Sequence, residues 1–117
     1  MPYLADRARL ADLQAASSVY MGTSPHETFG LSPLEAMACG TPVLAADGGA
    51  GREHVLSSGA GRLFAPGDPD DLAEQAITLL QDDLPGHGAR ARAFATREHA
   101  WSSVFDRVFA LYEQLQR

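Results

Sequence analysis

The 117-residue sequence predicts an α/β fold, a short parallel sheet of about three strands flanked by helices. Three observations carry that prediction. Helix-like and strand-like patterns alternate along the first two thirds of the chain. The run Pro42-Val43-Leu44-Ala45-Ala46 is apolar throughout, as expected of a parallel strand covered on both faces. Gly and Pro mark most boundaries, leaving the order helix, strand, helix, strand, helix, strand and then helices, which belongs to a parallel sheet.

Each element has its own local reason. Leu10, Leu13 and Ala16 recur at helical spacing, so a helix is expected from about Asp6 to Ala16. A β-prone run follows, Ser18 to Gly22. Ser32 suits an N-cap, Pro33 the first helical position, and Glu35 stands three residues after the cap, which together read as a capping box. Leu34, Met37 and Ala38 give that helix an apolar face, and Gly40 with Thr41-Pro42 ends it after about two turns. The apolar run 42–46 is the second strand. "REHVLSS" reads as a short helix stopped at Gly59, and "GRLFAP" as a third strand. Asp68-Pro69-Asp70 opens a helix whose Leu72, Ala76, Leu79 and Leu80 share a face; its acidic start is favourable with the helix dipole. "DDLPGHG" is expected to break the chain. Helical patterns then run over about 88–99 and 102–115, with Val104, Val108, Leu111 and Leu115 along the last.

Composition narrows the function. Apolar residues make up 45% and charged residues 21%, values of a folded domain with one modest core. A net charge of −6 argues against nucleic acid and offers no basic patch to an anionic membrane. No apolar run is long enough to span a bilayer, and "MPYLADRARL" lacks the apolar stretch of a leader. One cysteine, Cys39, excludes an internal disulfide and a cysteine-based zinc cage. A cytoplasmic location is the default expectation.

The segment Thr23–Leu31 is about nine residues long, where strand-to-helix connections usually take about 2–6. It follows a strand at the sheet's carboxyl end, where open α/β sheets hold ligands. Gly30, Leu31 and Ser32 lead into a helix N-terminus, whose free N–H groups and dipole suit a phosphate without any lysine. Gly30 lets backbone approach closely. Glu27 and Glu35 flank this turn, and carboxylates accept hydrogen bonds from sugar hydroxyls. A pyrophosphate with a sugar on either side, a nucleotide sugar, matches that pattern. Glu35 also has a structural role available as capping partner of Ser32.

The stretch Glu27-Thr28-Phe29-Gly30-Leu31-Ser32-Pro33-Leu34-Glu35, then "EAMACGTPVLAADGG", "GRLFAPGDPDDLAEQAITLL" and the ending "LYEQL", resembles retaining glycosyltransferases of the GT-B fold, family 4, with their Glu-x7-Glu pattern. The resemblance runs in order over nearly the whole chain. It implies a partial Rossmann-like three-layer domain, the donor-binding C-terminal half of such an enzyme. It implies a UDP- or GDP-linked sugar as donor, transfer to an acceptor hydroxyl with retention, and no metal or other cofactor. By position, Glu27 matches the catalytic-site glutamate beside the donor sugar, Ser24 the serine opening the loop, and Glu35 the glutamate on the ribose. Phe29, Gly30, Leu31 and Ser32 match the turn whose backbone meets the donor sugar and pyrophosphate.

There are departures from the pattern. Counting back from Glu53, the family's Gly-Gly pair is here Gly49-Ala50, and Arg52 stands where proline is usual. The acceptor domain, the first strands of the donor domain and the Arg/Lys pair on the diphosphate have no counterpart. Residues 1–117 are therefore expected to form a single partial domain, inactive alone. It would need a partner chain or self-associate through an unpaired sheet edge; a non-catalytic binding or assembly module is the alternative. Elsewhere the plain readings lead. His26 is an exposed loop residue; His54, His87 and His99 are surface or helix-packing residues; Cys39 is a small buried filler; Asp47 and Arg52 form a surface pair. Trp101, Phe105, Phe109 and Tyr112 are expected to face the core, with part of that face left open if the last helix packs toward the missing domain.

Overall fold

Tyr20–Gly22 (β1), Val43–Ala46 (β2) and Arg62–Phe64 (β3) pair in parallel in the order β1-β2-β3, with Met21 opposite Leu44 and Leu44 opposite Arg62. The computed structural model describes residues 3–117; Met1 and Pro2, part of the stretch read as lacking a leader, lie outside them. The helices are α1 (Arg7–Ala16), α2 (Leu31–Ala38), α3 (Gly49–Ser58), α4 (Pro69–Gln81), α5 (Leu84–His99) and α6 (Trp101–Leu115). The expected α/β class and the parallel sheet are both present.

β2 is buried along its whole length, and its alternation divides the core. Val43 and Ala45 point to one face, where they join Leu34 and Met37 of α2, Val55 of α3 and Phe94 of α5. Leu44 and Ala46 point to the other and meet Phe64 and Leu79. This period of two is what makes a central strand apolar at every position. Two crossovers of the same hand stepping the same way across a sheet leave their helices on one face. α2 and α3 accordingly share a face, and α4 covers the opposite one.

Helix ends follow the local chemistry. The Asp6 carboxylate caps α1 by accepting from the Ala8 N–H at 2.9 Å, and Asp68 caps α4 by accepting from Asp70 and Asp71. α1 buries no residue and is held through Gln14, whose carbonyl accepts from the Thr41 hydroxyl at 2.5 Å.

Four expectations need correction. α2 begins at Leu31, with Gly30 at φ 74° as its cap and no side-chain cap. Ser32, Pro33 and Glu35 are thus second, third and fifth in the helix, and the capping box does not form. The left-handed glycine turns the chain two residues early, and its carbonyl takes the first helical bond, from the Leu34 N–H at 3.2 Å. α3 starts at Gly49, three residues before Arg52. α5 starts at Leu84, so Pro85 and Gly86 sit in its first turn, where a missing proline N–H costs nothing, and the Asp83 carboxylate caps the Gly86 N–H at 3.1 Å. Lastly, Trp101, Phe105, Phe109 and Tyr112 do not face the core. α6 buries no residue, because it touches the domain mainly through α5 and only Ser103 and Val104 are half-buried.

Candidate functional site

The loop between β1 and α2 folds back across the start of α3. The Ala50 N–H donates to the Glu27 carbonyl at 2.8 Å. Gly49, at φ 56°, lies so close to the loop that a Cβ there would meet the Glu27 carbonyl oxygen at 2.6 Å and the Pro25 carbonyl oxygen at 2.9 Å. Only glycine fits that backbone and that gap. Two helix N-termini, those of α2 and α3, are thereby drawn together beyond the carboxyl ends of β1 and β2.

One turn further along α3, His54 is buried, and its Nε2 lies 2.7 Å from the Phe29 carbonyl oxygen. A carbonyl only accepts, so Nε2 carries the proton. Gly30 lies against the same ring: a Cβ added there would fall 2.9 Å from Nε2 and 3.2 Å from the Ala50 Cβ. Phe29 and His99 pack edge-on around His54 at centroid distances of 6.5 and 5.6 Å, and Phe94 closes the cluster from α5. Burial, and then the neighbouring His54, hold the His99 imidazole below the usual value of 6.5.

Past the loop, the first amides of α2 lack partners within the protein. Among the described residues no protein acceptor takes the N–H of Gly30, Leu31 or Ser32, and Pro33 has none to offer. Leu31 and Ser32 are exposed, while Gly30 is buried against His54 and Ala50. Such a helix start presents donors and a positive dipole end to solvent. Nearby, Arg52 pairs with Asp47 at 2.8 Å on the surface, the plain reading given to both.

Leu31 and Glu35 stand four apart on the exposed face of α2. With Phe29 they border a cavity of about 650 Å³ between α2, α5 and α6, whose other walls include Ala95, Trp101 and Val104. Arg107 brings this mostly apolar space a guanidinium, which also holds Glu98 at 3.3 Å. The Glu98 carboxyl is held below its ordinary value by the Arg97 hydrogen bond first, then by burial-opposed attraction to both arginines. Glu27 is exposed and does not line the cavity, so the two glutamates of the pattern are not gathered in one cavity. Ser24 is also exposed, and its Oγ accepts from the His26 N–H at 3.2 Å, a local turn that shapes the loop's entry.

His54, expected as a surface or helix-packing residue, packs against α5, and its further bond to the Phe29 carbonyl is what the sequence did not show. The signal for its burial was there: Ala50, Gly51, His54 and Val55 are the buried residues of α3, a helical stripe, but the stripe emerges only when the helix is started at Gly49. His87, the other buried histidine, is structural. Its Nδ1 accepts from the Gly61 N–H at 2.9 Å and its Nε2 donates to Asp82 at 2.9 Å. That bond, first among the causes, keeps the Asp82 carboxyl below its ordinary value. Cys39 is half-buried, with its thiol 3.6 Å from Gln14 Oε1. Among the described residues no cluster of three His, Cys, Asp or Glu is gathered as for a metal, and no helix is long and apolar enough to cross a membrane.

Residues 2–98 match the family described as Glycosyl transferases group 1. The chain is 41% identical over 113 residues to the D-inositol 3-phosphate glycosyltransferase of Xylanimonas cellulosilytica, covering 93% of this chain and 26% of that protein. It is 34% identical over 109 residues to the phosphatidyl-myo-inositol mannosyltransferase of Mycobacterium leprae, covering 92% and 29%. Among solved structures, the sucrose-phosphate synthase of Thermosynechococcus elongatus superposes with a TM-score of 0.82 at 33% identity, over 94% of this chain and 28% of that one. The chain thus spans roughly a quarter of the length of the curated relatives it matches.

Proposed function

The chain belongs to the group 1 glycosyl transferases, and from that premise we propose that it is the donor-binding portion of a nucleotide-sugar-dependent enzyme. The reaction passes a sugar from a nucleoside diphosphate to an acceptor hydroxyl with retained anomeric configuration. The observation that carries this reading is the open start of α2. Gly30, Leu31 and Ser32 offer amides with no protein acceptor, on a loop tied down to α3 rather than free to collapse over them. A diphosphate suits those donors and the dipole behind them without a metal ion. Glu35, one turn along the same exposed face, is assigned to the ribose hydroxyls. Glu27, exposed on the loop, is assigned to the donor sugar. The names of the relatives, a phosphatidyl-myo-inositol mannosyltransferase and D-inositol 3-phosphate glycosyltransferases, support sugar transfer.

Titration calorimetry of the chain with UDP and GDP, and with their sugar conjugates, tests the site. Glu35→Ala is expected to weaken bare diphosphate about tenfold, the loss of a charge-assisted bond. Glu27→Ala is expected to act on the sugar conjugates and leave bare diphosphates unchanged. Equal affinities across wild type and both variants remove the assignment.

Two observations favour a second reading, an assembly module that works only against another chain. α6 exposes an unbroken aromatic stripe, and among the described residues no strand pairs the outer side of β1, where Met21 is half-exposed. Sedimentation of the isolated chain separates the readings: self-association at micromolar concentration supports this one, and a monodisperse monomer that binds nucleotide supports the first.

A further inference from the structure

We propose that His54 is a positioning residue for the donor loop, setting the direction of the Gly30 amide by holding the preceding carbonyl; this rests on the donor-site reading above. His54 Nε2 donates to the Phe29 carbonyl at 2.7 Å. The peptide that follows is trans, as are all those described. In a trans peptide the N–H points opposite to the C=O, so a Phe29 carbonyl fixed on α3 turns the Gly30 N–H away from α3. Two residues earlier the Glu27 carbonyl is held in the same direction by the Ala50 N–H at 2.8 Å. The first tie is backbone to backbone and uses no side chain. The second depends on one imidazole.

The ring itself is held. Phe94 lies 6.1 Å and His99 5.6 Å from it, centroid to centroid, both on α5. A chain of contacts therefore runs from α5 through His54 to the loop peptide. Glycine at position 30 is part of the same fit, since any Cβ there would press on Nε2 at 2.9 Å. Protonation of the ring adds a proton at Nδ1 and leaves Nε2–H in place, so the clamp does not depend on the charge of His54.

The test pairs two substitutions in the full chain. His54→Gln keeps an N–H donor near the Nε2 position, while His54→Leu keeps bulk and donates nothing. Wild type and both variants are compared by thermal melting, by calorimetric titration with UDP and GDP, and by ¹⁵N relaxation of the amides of residues 27–32. The expected result is about tenfold weaker nucleotide binding for His54→Leu, with added fast motion at residues 28–31, and near wild-type behaviour for His54→Gln. If His54→Leu binds and moves like wild type, or if His54→Gln fails as badly as His54→Leu, the positioning role is overturned. If wild type binds neither nucleotide, the donor-site reading falls, and the relaxation data alone decide the clamp: unchanged motion in His54→Leu overturns it.

Discussion

α5 and α6 are consecutive helices of nearly equal length with opposite fates. α5 reads poorly as an amphipathic helix, with Pro85, Gly86 and Gly88 near its start. Yet it buries His87, Gly88, Ala91, Phe94 and Ala95, and passes so close to the end of α2 that a Cβ on Gly88 would overlap the Gly40 carbonyl. α6 carries the cleaner stripe, Trp101, Phe105, Val108, Phe109 and Tyr112, and buries none of it. Periodicity reports that a helix has a face to hide; it does not say that the partner lies in the same chain. Small residues allow close approach and are silent in a pattern search, whereas large ones are conspicuous whether or not they are covered.

The largest effect should come from breaking the α5 side. Phe94→Ala removes a buried ring from the core and from the His54–His99 cluster, and is expected to cost about 3–5 kcal/mol by urea unfolding. A loss under about 1 kcal/mol would mean that α5 is no better seated than α6.

A middle-sized effect belongs to the seam between the two helices. Burial holds the His99 value below 6.5 in the folded state, so the unfolded chain binds the extra proton first as pH falls. Stability should be full above about pH 6.5 and decline as the solution is acidified through the window below it. His99→Gln should flatten that decline in melting curves taken from pH 7.5 to 5. The carboxylates of Asp71, Asp82 and Glu98, all held below their ordinary values of 3.8, 3.8 and 4.5, give a further loss as the pH falls through those values.

The smallest effect should come from α6. Phe109→Ser, at a ring 59% exposed, is expected to change stability by less than about 0.5 kcal/mol. If the stripe meets another surface, the same change should lower the sedimentation coefficient of any assembly.

Much of the fold was legible because its signals are local. The apolar run at β2, Gly59 ending α3 and Asp68-Pro69 opening α4 each act within a few residues of themselves. The start of α2 was misread for an equally local reason: Ser32-Pro33-Leu34-Glu35 satisfies a capping rule on paper, but Gly30 reaches a left-handed conformation that turns the chain two residues sooner. At the site, the loop and its open amides could be inferred from length and composition. The link from His54 to Phe29 spans 25 positions, and a single sequence carries no signal for such a pair. The separation of Glu27 from the cavity that Glu35 borders is likewise a matter of which way a loop side chain leaves the backbone.

The thiol of Cys39 touches Gln14, the same residue whose carbonyl anchors an α1 that buries nothing of its own. Because this is the sole sulfhydryl in the chain and is half-buried, its rate of reaction with a maleimide or disulfide reagent should rise when the first helix lifts off. The protein thus comes with a built-in reporter of fraying at that end, separate from the loop and usable without any engineered label.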